Sequence, residues 1–212
     1  MTKVLHIVSS PRGLESLTRK LGNAIIQKIK IIEHDVQVNE HVLSDNPYPH
    51  LEEAQIVSFF TPKEDRTPLQ VSAIKKSDDA IVEIQEADII VIDVPMYNFS
   101  VSSGLKAYFD HIARAKVTFS YSEKGSEGLL KNKRAYIVVG SAGVFDNDKM
   151  RPFDFATPYV KHFLGFLGIT DVTTFRIEGT ATPELQAEAI DKALAKIAVH
   201  DFKDNKVTIK MQ

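Results

Sequence analysis

Residues 87–114, ADIIVIDVPMYNFSVSSGLKAYFDHIAR, constrain the fold of this chain more than any other stretch. Ile89, Ile90, Val91 and Ile92 form a continuous apolar run of β-branched residues, the pattern of a strand covered on both faces. Asp93 and Pro95 are expected to end that run, and Pro95 also biases Val94 to an extended conformation. Ser100, Ser102 and Ser103 are candidate caps for a following helix. In that helix Leu105, Tyr108, Phe109 and Ile112 share one stripe, while Lys106, Asp110 and Arg114 are expected to face away. Between strand and helix lie Pro95, Met96, Tyr97, Asn98 and Phe99. The carboxyl end of a parallel strand is where open α/β sheets bind ligands. Apolar side chains and one amide at that place suit a flat ring with a polar edge. The alternative is a plain connection whose aromatics fold back into the core.

The strand-loop-helix unit recurs. Residues 3–8 read as a first strand, followed by a polar loop and a helix carrying Leu17, Leu21, Ala24, Ile25, Ile29 and Ile32 at helical spacing. Ser16 or a neighbour is expected to cap that helix. Free backbone N–H groups and the positive end of a helix dipole make such a junction a good anion site. The hydroxyls of Ser10, Ser16 and Thr18 add donors, and Arg12 either supplements the charge or points into water. No Gly-Lys-Ser/Thr follows, so this is not a Walker loop, and the loop lacks the Gly-x-Gly-x-x-Gly dinucleotide fingerprint. Ordinary helix capping is the plain alternative. Beside the ring-binding loop, the junction reads as a pocket for a single phosphomonoester.

Further strands are expected at residues 35–42, 135–139 and 172–177, with helical patterns at 51–60, 68–87, 155–168 and from Pro183 onward. Residues 61–68 read as a surface loop, with a lid as the alternative. The strand over 135–139 ends in Gly140, Ser141, Ala142 and Gly143, small residues that let backbone approach a planar ligand edge. Phe119 and Tyr121 point the same way along an extended segment and are placed at the pocket mouth, ahead of a polar turn at 123–128. Asp78 and Asp79 look like a solvated helix face. Residues 201–212 form a tail in which Val207, Ile209 and Met211 alternate, the pattern of an extra edge strand. Five strands, each followed by a helical pattern, mean one α/β domain around a doubly wound parallel sheet.

A net charge of -2 argues against a nucleic-acid binder driven by a basic patch, and no apolar run approaches the ~18 residues of a membrane span. The absence of cysteine excludes disulfides, thiolate catalysis and cysteine-ligated metal centres, and fits a cytoplasmic protein. The seven histidines show no metal-ligand spacing, so no metal is expected. No nucleophile sits in a hydrolase setting either, because Ser141 lacks the Gly-x-Ser-x-Gly context. A site without an obvious acid, base or nucleophile is what an enzyme permits when a cofactor carries the chemistry.

The run PMYNFSVSSGLKAYFDHIARAKVTFSY resembles the FMN-dependent NADH azoreductases, also described as NADH:quinone oxidoreductases, and the likeness extends over residues 4–198. It implies a flavodoxin-like sheet of order 2-1-3-4-5, with residues 1–200 as one FMN-binding domain. In that family the Met-Tyr-Asn-Phe loop wraps the isoalloxazine ring. Ser10 and the run Ser16, Leu17 and Thr18 match the family's phosphate loop. The implied cofactor contacts continue through Pro95, Met96, Tyr97, Asn98, Phe99, Gly140, Ser141, Ala142 and Gly143. The implied substrate pocket takes Phe99, Phe119, Tyr121, Phe145 and, from the second copy of a homodimer, Phe163. The implied reaction passes hydride from NADH through flavin N5 to quinones or azo compounds in ping-pong fashion. The alternative is a flavodoxin-like electron carrier without turnover of its own. The chain departs from the family at Gly140-Ser141-Ala142-Gly143 and Phe145, where the usual pattern is Ser-Arg-Gly-Gly followed by His or Tyr. That departure bears on acceptor preference.

Overall fold

The computed structural model describes residues 1–123 and 125–203. In chain order its main elements are β1 (Thr2–Val8), α1 (Leu17–Ile32), β2 (Val36–Val42), α2 (Glu53–Phe60), α3 (Pro68–Glu86), β3 (Ile89–Pro95) and α4 (Ser103–Ile112). There follow β4 (Phe119–Ser122), β5 (Gly125–Gly128), β6 (Arg134–Gly140), α5 (Ala156–Leu167), β7 (Asp171–Ile177) and α6 (Pro183–Val199). The main sheet is parallel throughout, in the order β2-β1-β3-β6-β7. Counting only its own strands, this is the expected order 2-1-3-4-5.

Strand alternation divides the core into two layers. Ile90, Ile92 and Val94 of β3, with Ala135, Ile137 and Val139 of β6, pack against α3, α4 and α5. Ile89 and Val91, with Tyr136 and Val138, face α1 and α6. The helix starts follow side-chain chemistry. Ser16, Thr67, Ser102 and Thr182 each accept a bond from the backbone N–H three residues on, and Pro68 and Pro183 occupy first turns. Of the three serines expected to cap α4, Ser102 does so. Among the described residues no helix is long and apolar enough to cross a membrane.

Four expectations are corrected. β3 does not stop at Asp93: it runs to Pro95, and Asp93 is wholly buried, because its carboxylate is received by His6 inside the layer. Arg114 does not face water. α4 ends at Ile112, and the turn that follows carries Arg114 inward, to Ser77, to an ion pair with Asp78 and over the Phe59 ring at 4.9 Å. Asp78 is therefore a paired residue, while Asp79 bonds exposed Lys75. Residues 125–128 are not a turn but the return strand of a hairpin, β4 with β5.

That hairpin is held at Gly128. A Cβ on Gly128 would stand 2.0 Å from the backbone N of Gly168, the residue that ends α5 at φ 101°. Leu130 N donates to Leu167 O at 2.8 Å beside it. At the other end of the chain the core continues past residue 200. Phe202 is buried against Tyr136 and Phe175, and Arg134 Nη1 donates to its carbonyl at 2.6 Å. The expected edge strand at Val207, Ile209 and Met211 lies outside the described residues.

Candidate functional site

The strand order sets β1 beside β3, with the first helix of each unit on opposite faces of the sheet. The crevice beyond their carboxyl ends holds a cavity of about 340 Å³, within the range of small-molecule sites. Ser10, Arg12, Ser16, Leu17 and Thr18 line one end of it. Pro95, Met96 and Tyr97 line a second wall, and Gly140, Ser141 and Ala142 the third.

The Ser-rich end gathers hydrogen-bond donors at the start of α1. Ser16 Oγ and Thr18 Oγ1 stand 3.0 Å apart on the first turn of α1, and both residues are buried. Ser16 Oγ also caps the helix by accepting from Arg19 N at 3.3 Å. The first N–H groups of a helix have no intrahelical partner and gather at the positive end of its dipole. Thr18 is seated by β6: a Cβ on Gly140 would meet Thr18 Cγ2 at 2.6 Å. Glycine at 140 thus leaves the room in which the Thr18 side chain is positioned.

The Met96–Phe99 loop is a tight reversal. Tyr97 N donates to Ser100 O and Ser100 N to Tyr97 O, at 2.9 and 3.0 Å. Between them Asn98 and Phe99 both adopt left-handed backbone, φ 47° and 70°, the pairing of a type I′ turn. For Phe that conformation costs roughly 1–2 kcal/mol. It is held by Phe155 N, which donates to Phe99 O at 3.0 Å, and by the edge-on packing of Phe99 against Phe145. Met96 N donates to Gly140 O at 2.7 Å, tying this loop to the small-residue loop. In that loop Ser141 Oγ donates to Gly143 O at 2.8 Å, so its hydroxyl shapes the turn.

Ten expected cofactor residues therefore share one cavity: Ser10, Ser16, Leu17, Thr18, Pro95, Met96, Tyr97, Gly140, Ser141 and Ala142. Asn98 lies outside it, in an adjoining hollow of about 660 Å³ with Tyr97, Ser102 and Tyr159. Gly143 and Phe99 line neither. Arg12, left open between two roles, is at the cavity wall. Ile177, Thr180 and Ala181 also line it and were not expected. Their signal was available, since they follow the carboxyl end of β7 as the other loops follow β1, β3 and β6.

The aromatic residues assigned to the substrate pocket sit elsewhere in the single chain. Phe119 packs on Phe166 with ring centres 4.5 Å apart, and exposed Tyr121 meets Phe119 edge-on. Phe163 stacks on Phe109 at 4.1 Å. Phe145 is buried over Gly143 and borders a further hollow of about 540 Å³ with Phe155, Pro158 and Lys161. Among the described residues no three histidine or acidic side chains gather as a metal site.

This parallel sheet with its cavity at the β1/β3 switch point places the chain in a class, and comparison gives the same class. A family model described as the flavodoxin-like fold matches residues 2–200, and the chain belongs to that family. Among its relatives, a protein of Herminiimonas arsenicoxydans named FMN-dependent NADH:quinone oxidoreductase is 46% identical over 196 residues, covering 92% of this chain and 95% of the relative. A protein of the same name from Burkholderia pseudomallei is 42% identical over 199 residues, covering 93% and 99%. Among solved structures, an azoreductase from Bacillus anthracis Sterne superimposes with a TM-score of 0.85 at 28% identity, covering 93% and 97%. An FMN-dependent NADH-azoreductase from the Ames Ancestor strain, solved in complex with FMN, gives 0.82 at 26%, covering 93% and 98%.

Proposed function

We propose that the chain is an FMN-dependent oxidoreductase that takes reducing equivalents from NADH and delivers them to quinones and azo compounds. The observation that carries this reading is the single cavity joining a one-phosphate anion site to a loop of Met96 and Tyr97. A monophosphate flavin matches both ends. Bound there, FMN supplies the hydride chemistry, and the protein's part is binding, orientation and exclusion of water.

Each wall has a separable task. Ser10, Ser16 and Thr18 offer hydroxyls to the phosphate, with Arg12 and the α1 dipole adding positive potential. Pro95, Met96 and Tyr97 pack on one edge of the ring, and the Gly140–Ala142 backbone approaches the other without side-chain bulk. Thr180 Oγ1 donates to Ser141 O at 3.2 Å and keeps that backbone in place. One exposed ring face serves donor and acceptor in turn, so the kinetics are ping-pong in this reading. The reading also includes a homodimer. Phe153 and Phe155 are half exposed and Tyr121 more so, aromatic surface of the kind that interfaces cover. A second copy covering it would bring its own aromatics toward the open ring.

The decisive experiment is the absorption spectrum of the purified protein before and after anaerobic NADH. A flavin spectrum bleached by NADH and restored by a quinone is expected, with parallel initial-rate plots at several fixed acceptor concentrations. Release of FAD, or no flavin after reconstitution, would refute the cofactor; a bound flavin that NADH fails to bleach would leave an electron carrier. Mixing Phe163→Ala subunits with Ser16→Ala/Thr18→Ala subunits tests the dimer. Partial recovery of activity is expected if Phe163 acts across the interface.

A further inference from the structure

Under the phosphate end of the cavity, three adjacent strands carry a row of ionisable side chains on the face covered by α1. His6 lies at the centre. Its Nε2 is 3.0 Å from Asp93 Oδ2 on β3, and its Nδ1 is 3.4 Å from Glu40 Oε2 on β2. Glu40 is closed from the helix side by an ion pair with Arg19, the residue after Thr18. His6 and Asp93 are 1% and 0% exposed, and Glu40 is the end of the row that reaches water. Gly22 lies directly over the pair: a Cβ there would stand 2.3 Å from Asp93 Oδ1 and 2.7 Å from His6 Nε2. Asp93 Oδ1 has no hydrogen-bond partner among the described residues. These groups were not singled out for the cavity, and none of them lines it.

The geometry has a consequence for protons. A neutral imidazole has one N–H and one lone pair, while carboxylates only accept. With an acidic oxygen facing each ring nitrogen, one contact is a lone pair against a lone pair unless the row holds one more proton. Burial also pushes the Asp93 carboxyl above its ordinary range, against the hydrogen bond and charge of His6. With that proton in place, it and Arg19 balance Asp93 and Glu40. Without it the row carries one uncompensated negative charge beneath the first turns of α1. On this face the row is flanked by Val91 and Val138, by Leu21 of α1, and by Tyr136, the β6 neighbour of Val91 and a further titratable group.

We propose that the Glu40–His6–Asp93 row, closed by Arg19, is a proton-holding anchor for α1 that sets the grip of its first turn on the flavin phosphate, and that losing its proton weakens that grip. The proposal rests on the reading of the cavity as a flavin monophosphate site. His6 and Asp93 act as positioning residues through α1; they do not touch the ligand.

The test uses the apoprotein and titrates FMN and riboflavin separately by flavin fluorescence quenching, between about pH 7 and about pH 9.5. In this window the second phosphate ionisation, near 6 for a phosphomonoester, is complete, and ordinary Lys and Tyr remain protonated. Ionisation of the ring cancels in the ratio of the two affinities. A unit charge within about 20 Å of a dianion at an effective dielectric constant of about 20 is expected to lower the FMN-to-riboflavin ratio at least roughly tenfold across that range at low ionic strength. In His6→Gln/Asp93→Asn, which keeps polar shape without a shared proton, the ratio should be flat. A flat ratio in the wild type overturns the proposal, as does an equal fall in the variant. If the variant does not fold, the wild-type profile still decides. A ratio near one at about pH 7 refutes the phosphate site itself, and is distinct because discrimination is then missing from the start.

Discussion

Gly140→Ala tests how β6 seats the phosphate loop. The added methyl would stand 2.6 Å from Thr18 Cγ2 and 3.4 Å from Ile177 Cγ2. The first distance is too short to survive, so the buried Thr18 side chain must turn. Overpacking of this kind costs about 1–3 kcal/mol, and each kcal/mol lowers Tm by roughly 2–4 °C in a chain of this size. Turning Thr18 also withdraws its hydroxyl from Ser16 and from the anion site. One charge-assisted bond lost corresponds to about 1.5–3 kcal/mol, so FMN affinity should fall more than tenfold while riboflavin affinity changes little. Thr18→Ser removes the colliding atom and keeps the hydroxyl. Alone it should cost about 1 kcal/mol for the lost methyl, and combined with Gly140→Ala it should restore both stability and FMN binding. The assays are urea unfolding of the apoprotein and flavin titration of the four proteins. A coupling of roughly 1–3 kcal/mol is expected; effects that add within about 0.5 kcal/mol would show that the two side chains do not compete for this space.

Ser16→Ala should lose both the cap to Arg19 N and a phosphate donor, lowering stability by about 1 kcal/mol and FMN affinity well over tenfold; an unchanged ratio of FMN to riboflavin binding would count against the loop. Phe145 is packed over Gly143 and edge-on to Phe99, away from the main cavity. Phe145→His should therefore alter acceptor ranking more than FMN affinity in steady-state assays, and the reverse pattern would place the ring on the cofactor. His41 Nδ1, 2.9 Å from Glu83, holds that carboxyl below its ordinary value chiefly through their hydrogen bond. A depressed carboxylate stabilises the fold above about pH 4.5 and loses that contribution as pH falls through its folded value. Glu83→Gln should accordingly flatten the urea midpoint between about pH 5 and about pH 3; an unaltered acid slope would refute the pairing.

The centre of the sheet was legible because residues 89–92 and 135–139 are apolar on both faces, the pattern of a doubly covered parallel strand, while the outer strands showed only partial alternation. The gathering of hydroxyls at the start of α1 was legible for a local reason, since the Ser16 cap and Thr18 lie within three residues. What sequence hid depends on partners distant along the chain. Asp93 reads as a strand terminator until His6, 87 residues away, is placed beside it. Arg114 reads as helix surface until the turn after Ile112 delivers it to Asp78. The β5 segment, Gly-Ser-Glu-Gly, carries no strand pattern and becomes one by pairing with β4.

The backbone contact between Gly128 and Gly168 makes one mechanical unit of two elements that the chain order separates. With no side chain between them, neither strand end nor helix end has slack to slide, and the Leu130 to Leu167 bond fixes the direction. Tyr121, at the exposed part of the hairpin, and Phe163, on α5, are therefore carried by the same rigid lever. A displacement of the hairpin's return strand therefore acts on the end of α5 through backbone atoms, not through side chains that could repack.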